Sequence, residues 1–336
     1  MSKASLIIPQ VQNRTHADLQ RLQALPLPQK IQLFKRRVHQ FYTHFNGKVY
    51  GSFSGGKDST MMMNLIWEDF PDVPAVFSNT GLEYPEIVAF VKQVQAEGRP
   101  VEIIRPKLSF KQVIDRYGWA VVSKEQSQFI NEFRTTKSDK LRKTRIEGNK
   151  SGRGKISKKH MYLTNAPFKV SHQCCAKLKK EPFKSYEKRT GRKPIVGTMT
   201  DESQLRQQSW LATGCNAFES KRPMSTPMSF FTEQDVLTYF RDTKKPYANI
   251  YGDIIETKRA LQMDMFGGEE EKQVLKLTGA DRTGCQWCMF GLELETIANH
   301  GENRFTRMKK THPKQYDTII NKFGAKEVLD FMKLPY

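Results

Sequence analysis

Between residues 47 and 104 short apolar runs alternate with longer amphipathic ones at intervals of about 25 residues, and few folds accommodate that rhythm. "KVYGSFS" reads as a buried strand and "DSTMMMNLIWEDF" as the helix after it. "VPAVFSN" is a second strand, "YPEIVAFVKQVQAEG" a second helix closed by Gly98, and "VEIIRP" a third strand. Strands joined through helices cross over and lie parallel. With right-handed crossovers this predicts an α/β fold built on a doubly wound, mostly parallel, Rossmann-like sheet, its ligands beyond the carboxyl ends of the strands. Upstream, Ile31, Phe34, Val38, Phe41 and Phe45 stand at helical spacing and predict an amphipathic helix over 28–45. The pattern returns at "KPIVGTM" (strand) and "DESQLRQQSWLA" (helix).

The first strand runs into Ser54, Gly55, Gly56, Lys57, Asp58 and Ser59, where the second helix pattern begins. Glycines there permit unusual backbone angles and close approach of an oxyanion, the helix start adds favourable partial charge, and Lys57 adds a full one. The loop lacks the four-residue spacing of the Walker sequence. A phosphate-gripping loop on the first strand gives three expected parts. These are an N-terminal helical segment (1–48), a nucleotide-binding domain (49–252) with a basic insert at 124–172, and a smaller C-terminal helical region (253–336).

The chain has 336 residues, 38% of them hydrophobic and 27% charged, which supplies a core and excludes wholesale disorder. Its net charge of +20 favours a polyanionic partner. The excess concentrates at Lys137 to His160, with ten Lys or Arg against two acids, and the glycines and serines of 148–154 predict a loop within it. Lys140, Arg142, Lys143, Arg145, Arg153, Lys155, Lys158 and Lys159 are the expected nucleic-acid contacts, to DNA or tRNA. Phe129, Phe133, Tyr162 and Phe168 lie close enough in sequence to stack on bases, with core packing the other use. No apolar run suits a signal peptide or a membrane span, so a cytoplasmic protein without membrane contact is expected.

Five cysteines include an adjacent pair, Cys174 and Cys175, and a Cys-x-x-Cys, Cys285 and Cys288. In a reducing compartment this points to metal rather than disulfides. Four thiolates suit zinc or an iron–sulfur cluster; adjacent cysteines converge awkwardly on one small ion, whereas a larger [4Fe-4S] cubane accepts both. Cys215, in "ATGCNAF", reads as a packed small hydrophobe.

The Ser54–Ser59 stretch resembles the PP-loop, SGGxDS, of ATP pyrophosphatases and sulfonucleotide reductases in the adenine nucleotide alpha-hydrolase-like superfamily. "SNTGLEYPE" (78–86), "GTMTDESQLR" (197–206) and "FFTEQDVLTYFRDTKKPYANIYG" (230–252) are similar, in order, to segments of the phosphoadenosine-phosphosulfate (PAPS) reductase family. Met199 stands where that family usually has arginine, and Phe231 and Leu237 where it has tryptophan. The resemblance implies an adenine nucleotide whose phosphates lie at Ser54 to Ser59, with Ser78, Thr80 and Gly81 bordering base and ribose. Lys57, Asp58 and Arg206 would act on the phosphates, with ATP and Mg²⁺ as the expected ligands. The CC…CxxC pattern is similar to that of cluster-containing adenylyl-sulfate reductases and implies a [4Fe-4S] centre. Those enzymes attack with a cysteine in an E-C-G-x-H setting, and no cysteine follows Cys288 here. Three functions follow as expectations. The first is ATP-dependent, pyrophosphate-releasing sulfur transfer to a nucleic acid, fed by a cysteine desulfurase or other sulfur donor. The second is adenylyl-sulfate or PAPS reduction, and the third a non-catalytic nucleotide- and nucleic-acid-binding regulator.

Overall fold

The computed structural model describes residues 14–260 and 271–336. β1 (Val49–Ser52), β2 (Ala75–Ser78) and β3 (Val101–Ile104) form where the alternation predicts them, with helices Lys57–Asp69 and Pro85–Ala96 between. Along the chain follow β4 (Val121–Val122), β5 (Lys193–Val196), β6 (Asn216–Ala217) and β7 (Met224–Ser225). β8 (Ile254–Ala260), β9 (Glu271–Leu277) and β10 (Met289–Phe290) complete the strands. Six of these make one sheet in the order β3-β2-β1-β5-β7-β6, with only the β6–β7 edge pair antiparallel. From β1 the chain winds one way through β2 to β3 and later the other way from β5 onward. The reversal lies between β1 and β5, the place where such sheets open a crevice for a ligand.

The chain divides into two compact units. The first comprises Met1–Phe77, Pro85–Ile103 and Glu187–Arg282; the second comprises Ser78–Tyr84, Ile104–Tyr186 and Thr283–Tyr336. This partition differs from the expected parts 49–252 and 253–336. The basic segment 124–172 is not an insert of its own: Phe129, Ile156, Leu163 and Phe168 share one apolar core with Phe305, Ile319, Val328 and Leu334. Periodicity reports which face of an element is buried, not which distant segment covers it.

In the first unit the predicted amphipathic helix runs over Leu27–His44 and buries Phe34, Val38 and Phe41, each worth about 1.5–3 kcal/mol of burial. Ile31 and Phe45 are only half-buried, whereas Lys30 is buried and ion-paired to Asp235 at 2.6 Å. Residues 254–277 correct the expectation of a wholly helical C-terminal region. β8 and β9 pair antiparallel from Ile254↔Leu277 to Ala260↔Glu271, because Leu275 and Leu277 turn inward while Lys276 faces solvent. Helices do fill the end of the second unit, at Leu292–Ala298, Arg304–Thr311, Pro313–Asp317 and Ala325–Phe331.

Candidate functional site

The first unit carries a phosphate-shaped loop at the end of β1. Gly51 lies so near the following helix that a Cβ there would meet the Met63 sulfur at 2.0 Å, so strand and helix pack closely. Gly55 has φ +73°, and a Cβ on it would meet Ile87 and Val91 at 2.8 Å. The loop ties itself together through its serines. The Ser59 hydroxyl accepts from the Ser54 N–H at 3.1 Å and donates to the Gly56 carbonyl at 2.9 Å, while the Ser54 hydroxyl accepts from the Gly56 N–H at 3.3 Å. Gly56 caps the Lys57–Asp69 helix without a side-chain hydrogen bond, and the helix start carries the partial positive charge that favours an anion.

Lys57 is 4% exposed. Its ammonium lies 3.3 Å from Glu233, 3.4 Å from Asp58 and 3.3 Å from the Asp281 carbonyl, and 5.6 Å from the centre of the Tyr251 ring. Tyr251 also receives the Lys57 backbone N–H on its hydroxyl at 3.2 Å. Burial alone would pull the lysine down, but the carboxylates of Asp58 and Glu233 outweigh it and hold Lys57 above its ordinary value. Oδ1 of Asp58 is buried and accepts no hydrogen bond among the described residues. It faces the Lys57 ammonium at 3.4 Å, and a carboxylate beside a phosphate loop is the kind of protein ligand that Mg²⁺ takes alongside phosphate oxygens.

Arg206 sits in the first turn of the Gln204–Thr213 helix, ion-paired to Glu202 and close enough to Asp58 and Arg282 to feel both charges. Burial and the like charge of Arg282 lower its pKa. Lys57, Asp58 and Arg206 therefore share one electrostatic neighbourhood within the first unit. Met199 is 4% exposed and packed with the core, so the position where the family usually has arginine offers no charge. Sequence reasoning missed Glu233, Tyr251, Asp281 and Arg282 as neighbours of the loop. Glu233 and Tyr251 do fall inside the 230–252 stretch, where a pairing partner for Lys57 was there to be sought.

Ser78, Thr80 and Gly81 belong to the second unit. The Ser78 hydroxyl donates to the Leu178 carbonyl at 3.4 Å, and Glu83 accepts from both the backbone and the hydroxyl of Thr80, at 2.9 and 2.8 Å. Gly81 has φ +77° in that turn.

All four paired cysteines come together in the second unit. Cys174, Cys175, Cys285 and Cys288 line a single cavity whose other walls are apolar, from Leu82, Phe110, Trp119, Trp287 and Phe290. Burial raises the Cys174 thiol and the other three sulfurs raise it further; Cys285 is pushed up to about 11, mainly by burial. On the turn after the Cys pair, burial would pull the Lys179 ammonium down, but neighbouring Cys285 and Glu83 outweigh it and raise it above its ordinary value. Burial also raises Cys288, opposed by the Phe290 backbone N–H that it accepts. Among the described residues no three His, Cys, Asp or Glu side chains converge tightly enough to grasp a metal ion. Four thiols share this cavity, a donor set that either zinc or an iron–sulfur cluster takes. Cys215 is buried in the first unit, whereas the other four cysteines belong to the second.

The basic segment forms the Asp139–Glu147 helix and the loop after it. Lys140, Arg142, Lys143, Arg153, Lys155, Lys158 and Lys159 are exposed, several with an acidic neighbour: Asp139 for Arg142, Glu147 for Lys143, Glu293 for Lys159. Arg145 corrects the expectation. Its side chain is 12% exposed, bonded to Glu132 at 2.7 Å and to the Gly154 carbonyl, and lies 4.2 Å over the Phe129 ring. Held on three sides, it anchors the helix and is not available to a phosphate backbone. Phe129 and Phe168 are core residues, which answers the stacking question for both. The second unit as a whole holds 29 Lys and Arg against 13 Asp and Glu, leaving 26 against 22 for the first. The charge excess is thus a property of one unit.

Residues 48–152 match the family profile of the phosphoadenosine phosphosulfate reductase domain. A solved structure of phosphoadenylyl-sulfate (PAPS) reductase from Candida auris, a phosphate complex, is similar over 70% of this chain and 90% of that one. The two share 15% identity at a TM-score of 0.39. No curated protein sequence matches the chain. Among the described residues no helix is long and apolar enough to cross a membrane.

Proposed function

We propose that this chain, whose residues 48–152 match the phosphoadenosine phosphosulfate reductase domain, activates a nucleic acid with ATP for sulfur transfer. The observation that carries the nucleotide part is the buried Lys57, beside Asp58 and Glu233, at a helix start whose N-cap glycine makes no side-chain hydrogen bond. In the proposed reaction an oxygen of the target attacks the α-phosphorus of ATP and pyrophosphate leaves. A sulfur nucleophile then displaces AMP from the adenylated target. Lys57 and the helix start would neutralise the departing pyrophosphate, and Asp58 would hold Mg²⁺. Met199 supports ATP over a sulfonucleotide, since it brings no cation to the position where the family has one.

The four cysteines would hold a [4Fe-4S] cluster, whose contribution is sulfur relay or electron supply. The sulfur itself would come from a desulfurase or equivalent donor. The charge excess of the second unit supports a nucleic acid as the target, with Lys140, Lys143, Arg153 and Lys155 as backbone contacts and Arg145 left out.

Sulfonucleotide reduction is the second reading, favoured by the family match itself. Calorimetry with ATP, adenylyl sulfate and PAPS, followed by assays for pyrophosphate and for sulfite, separates the two. ATP binding with nucleic-acid-stimulated pyrophosphate release supports the first. Tighter binding of a sulfonucleotide with sulfite production replaces it with the second.

A further inference from the structure

We propose that the indole N–H of Trp287 donates a hydrogen bond to the sulfur-rich group held by the four cysteines, and that this bond raises the group's reduction potential. The inference rests on the cluster reading above. Trp287 lies inside the Cys-x-x-Cys, between Gln286 and Cys288, and is 9% exposed. Its Nε1 is buried and has no hydrogen-bond partner among the described residues. An indole nitrogen is only ever a donor, and leaving a buried donor unmade costs about 1–3 kcal/mol. An acceptor is therefore wanted beside it, and Trp287 lines the cavity that the four thiols share.

The ring is not free to turn away. It packs against Phe110 at 5.6 Å and edge-on against Phe323 at 5.4 Å between ring centres. The apolar side chains of the cavity walls strengthen any hydrogen bond that the indole N–H makes there. Reduction adds negative charge to a cluster's sulfurs, so a donor stabilises the reduced form more than the oxidised one.

The test compares the full-length protein with Trp287→Phe, which keeps an aromatic ring and removes the N–H, both prepared anaerobically. Iron and sulfide are measured first, and their absence from the unsubstituted protein overturns the cluster reading and this inference with it. With the cluster present, the midpoint potential of Trp287→Phe is expected to fall by the equivalent of about tenfold in the reduction equilibrium, ~59 mV for one electron. An unchanged potential at equal iron content overturns the role of Trp287 and leaves the cluster standing. Should Trp287→Phe not load, pulsed EPR on the unsubstituted protein with ¹⁵N-indole label decides. Hyperfine coupling between the reduced cluster and an indole nitrogen is expected, and its absence overturns the proposal.

Discussion

Glu233, the first residue of the Glu233–Thr243 helix, holds the ammonium of Lys57 at 3.3 Å. Together with Asp58 this carboxylate outweighs burial and holds Lys57 above its ordinary value. The charge is thus in place in advance, and a bound triphosphate would not have to order it.

Replacing Lys57 with Met should weaken ATP binding by about tenfold to a hundredfold, as a charge-assisted hydrogen bond of about 1.5–3 kcal/mol is lost. Isothermal calorimetry reads this directly. Equal affinity for ATP in the variant would remove the loop from the nucleotide site.

The buried pair Lys30–Asp235 makes a separate prediction about stability. Lys30→Met leaves Asp235 short of its partner and should cost about 3–5 kcal/mol in urea denaturation, while the double replacement Lys30→Met, Asp235→Leu should recover part of it. Asp235 also caps the Glu233–Thr243 helix through Thr232, so recovery should be incomplete.

Salt dependence separates the exposed basic residues from Arg145. Alanine at Lys140, Lys143, Arg153 and Lys155 should flatten the log–log salt slope of nucleic-acid binding by about 3–4, with ATP affinity unchanged. Arg145→Ala should instead lower stability by about 2 kcal/mol, through the lost contacts to Glu132 and the Phe129 ring. A slope that ignores the four lysine and arginine replacements would reduce this face to a solvated surface.

Acid sensitivity should trace in part to Glu293. Burial pushes its carboxyl up, but hydrogen bonds from Lys159 and His160 outweigh that and leave it below its ordinary 4.5. A carboxylate depressed on folding stabilises above its unfolded pKa, and that contribution is lost as pH falls through the lower folded value. Stability of the unsubstituted protein should therefore decline more steeply below pH 4.5 than that of Glu293→Gln, in denaturation followed across pH.

The sheet was legible because its elements are local: each strand and helix from Val49 to Ile104 announces itself within a dozen residues. Ser54 to Ser59 was legible for the same reason. What hid was everything that depends on residues far apart in sequence. Lys30 reads as the polar side of a helix, and only Asp235, over two hundred positions on, explains its burial. Arg145 reads as one more cation in a basic run until Glu132 and Phe129 are seen around it. The β8–β9 hairpin was lost because its strands are rich in Glu and Lys, residues that weigh toward helix, and its period of two shows only in Leu275 and Leu277.

The second unit is assembled from three stretches of chain, separated in sequence by Pro85–Ile103 and Glu187–Arg282 of the first unit. A ribosome delivers those stretches in order. Cys174 and Cys175 are made about 110 residues before Cys285, a delay of roughly 5–20 seconds at ordinary rates of synthesis. Lys57, Glu233 and Asp281 all precede Cys285, so the polypeptide of the first unit is complete while the thiol cavity still has half its donors. Any group that needs four cysteines must be installed after that point, and a message cut short before Cys285 would yield the loop without the cavity.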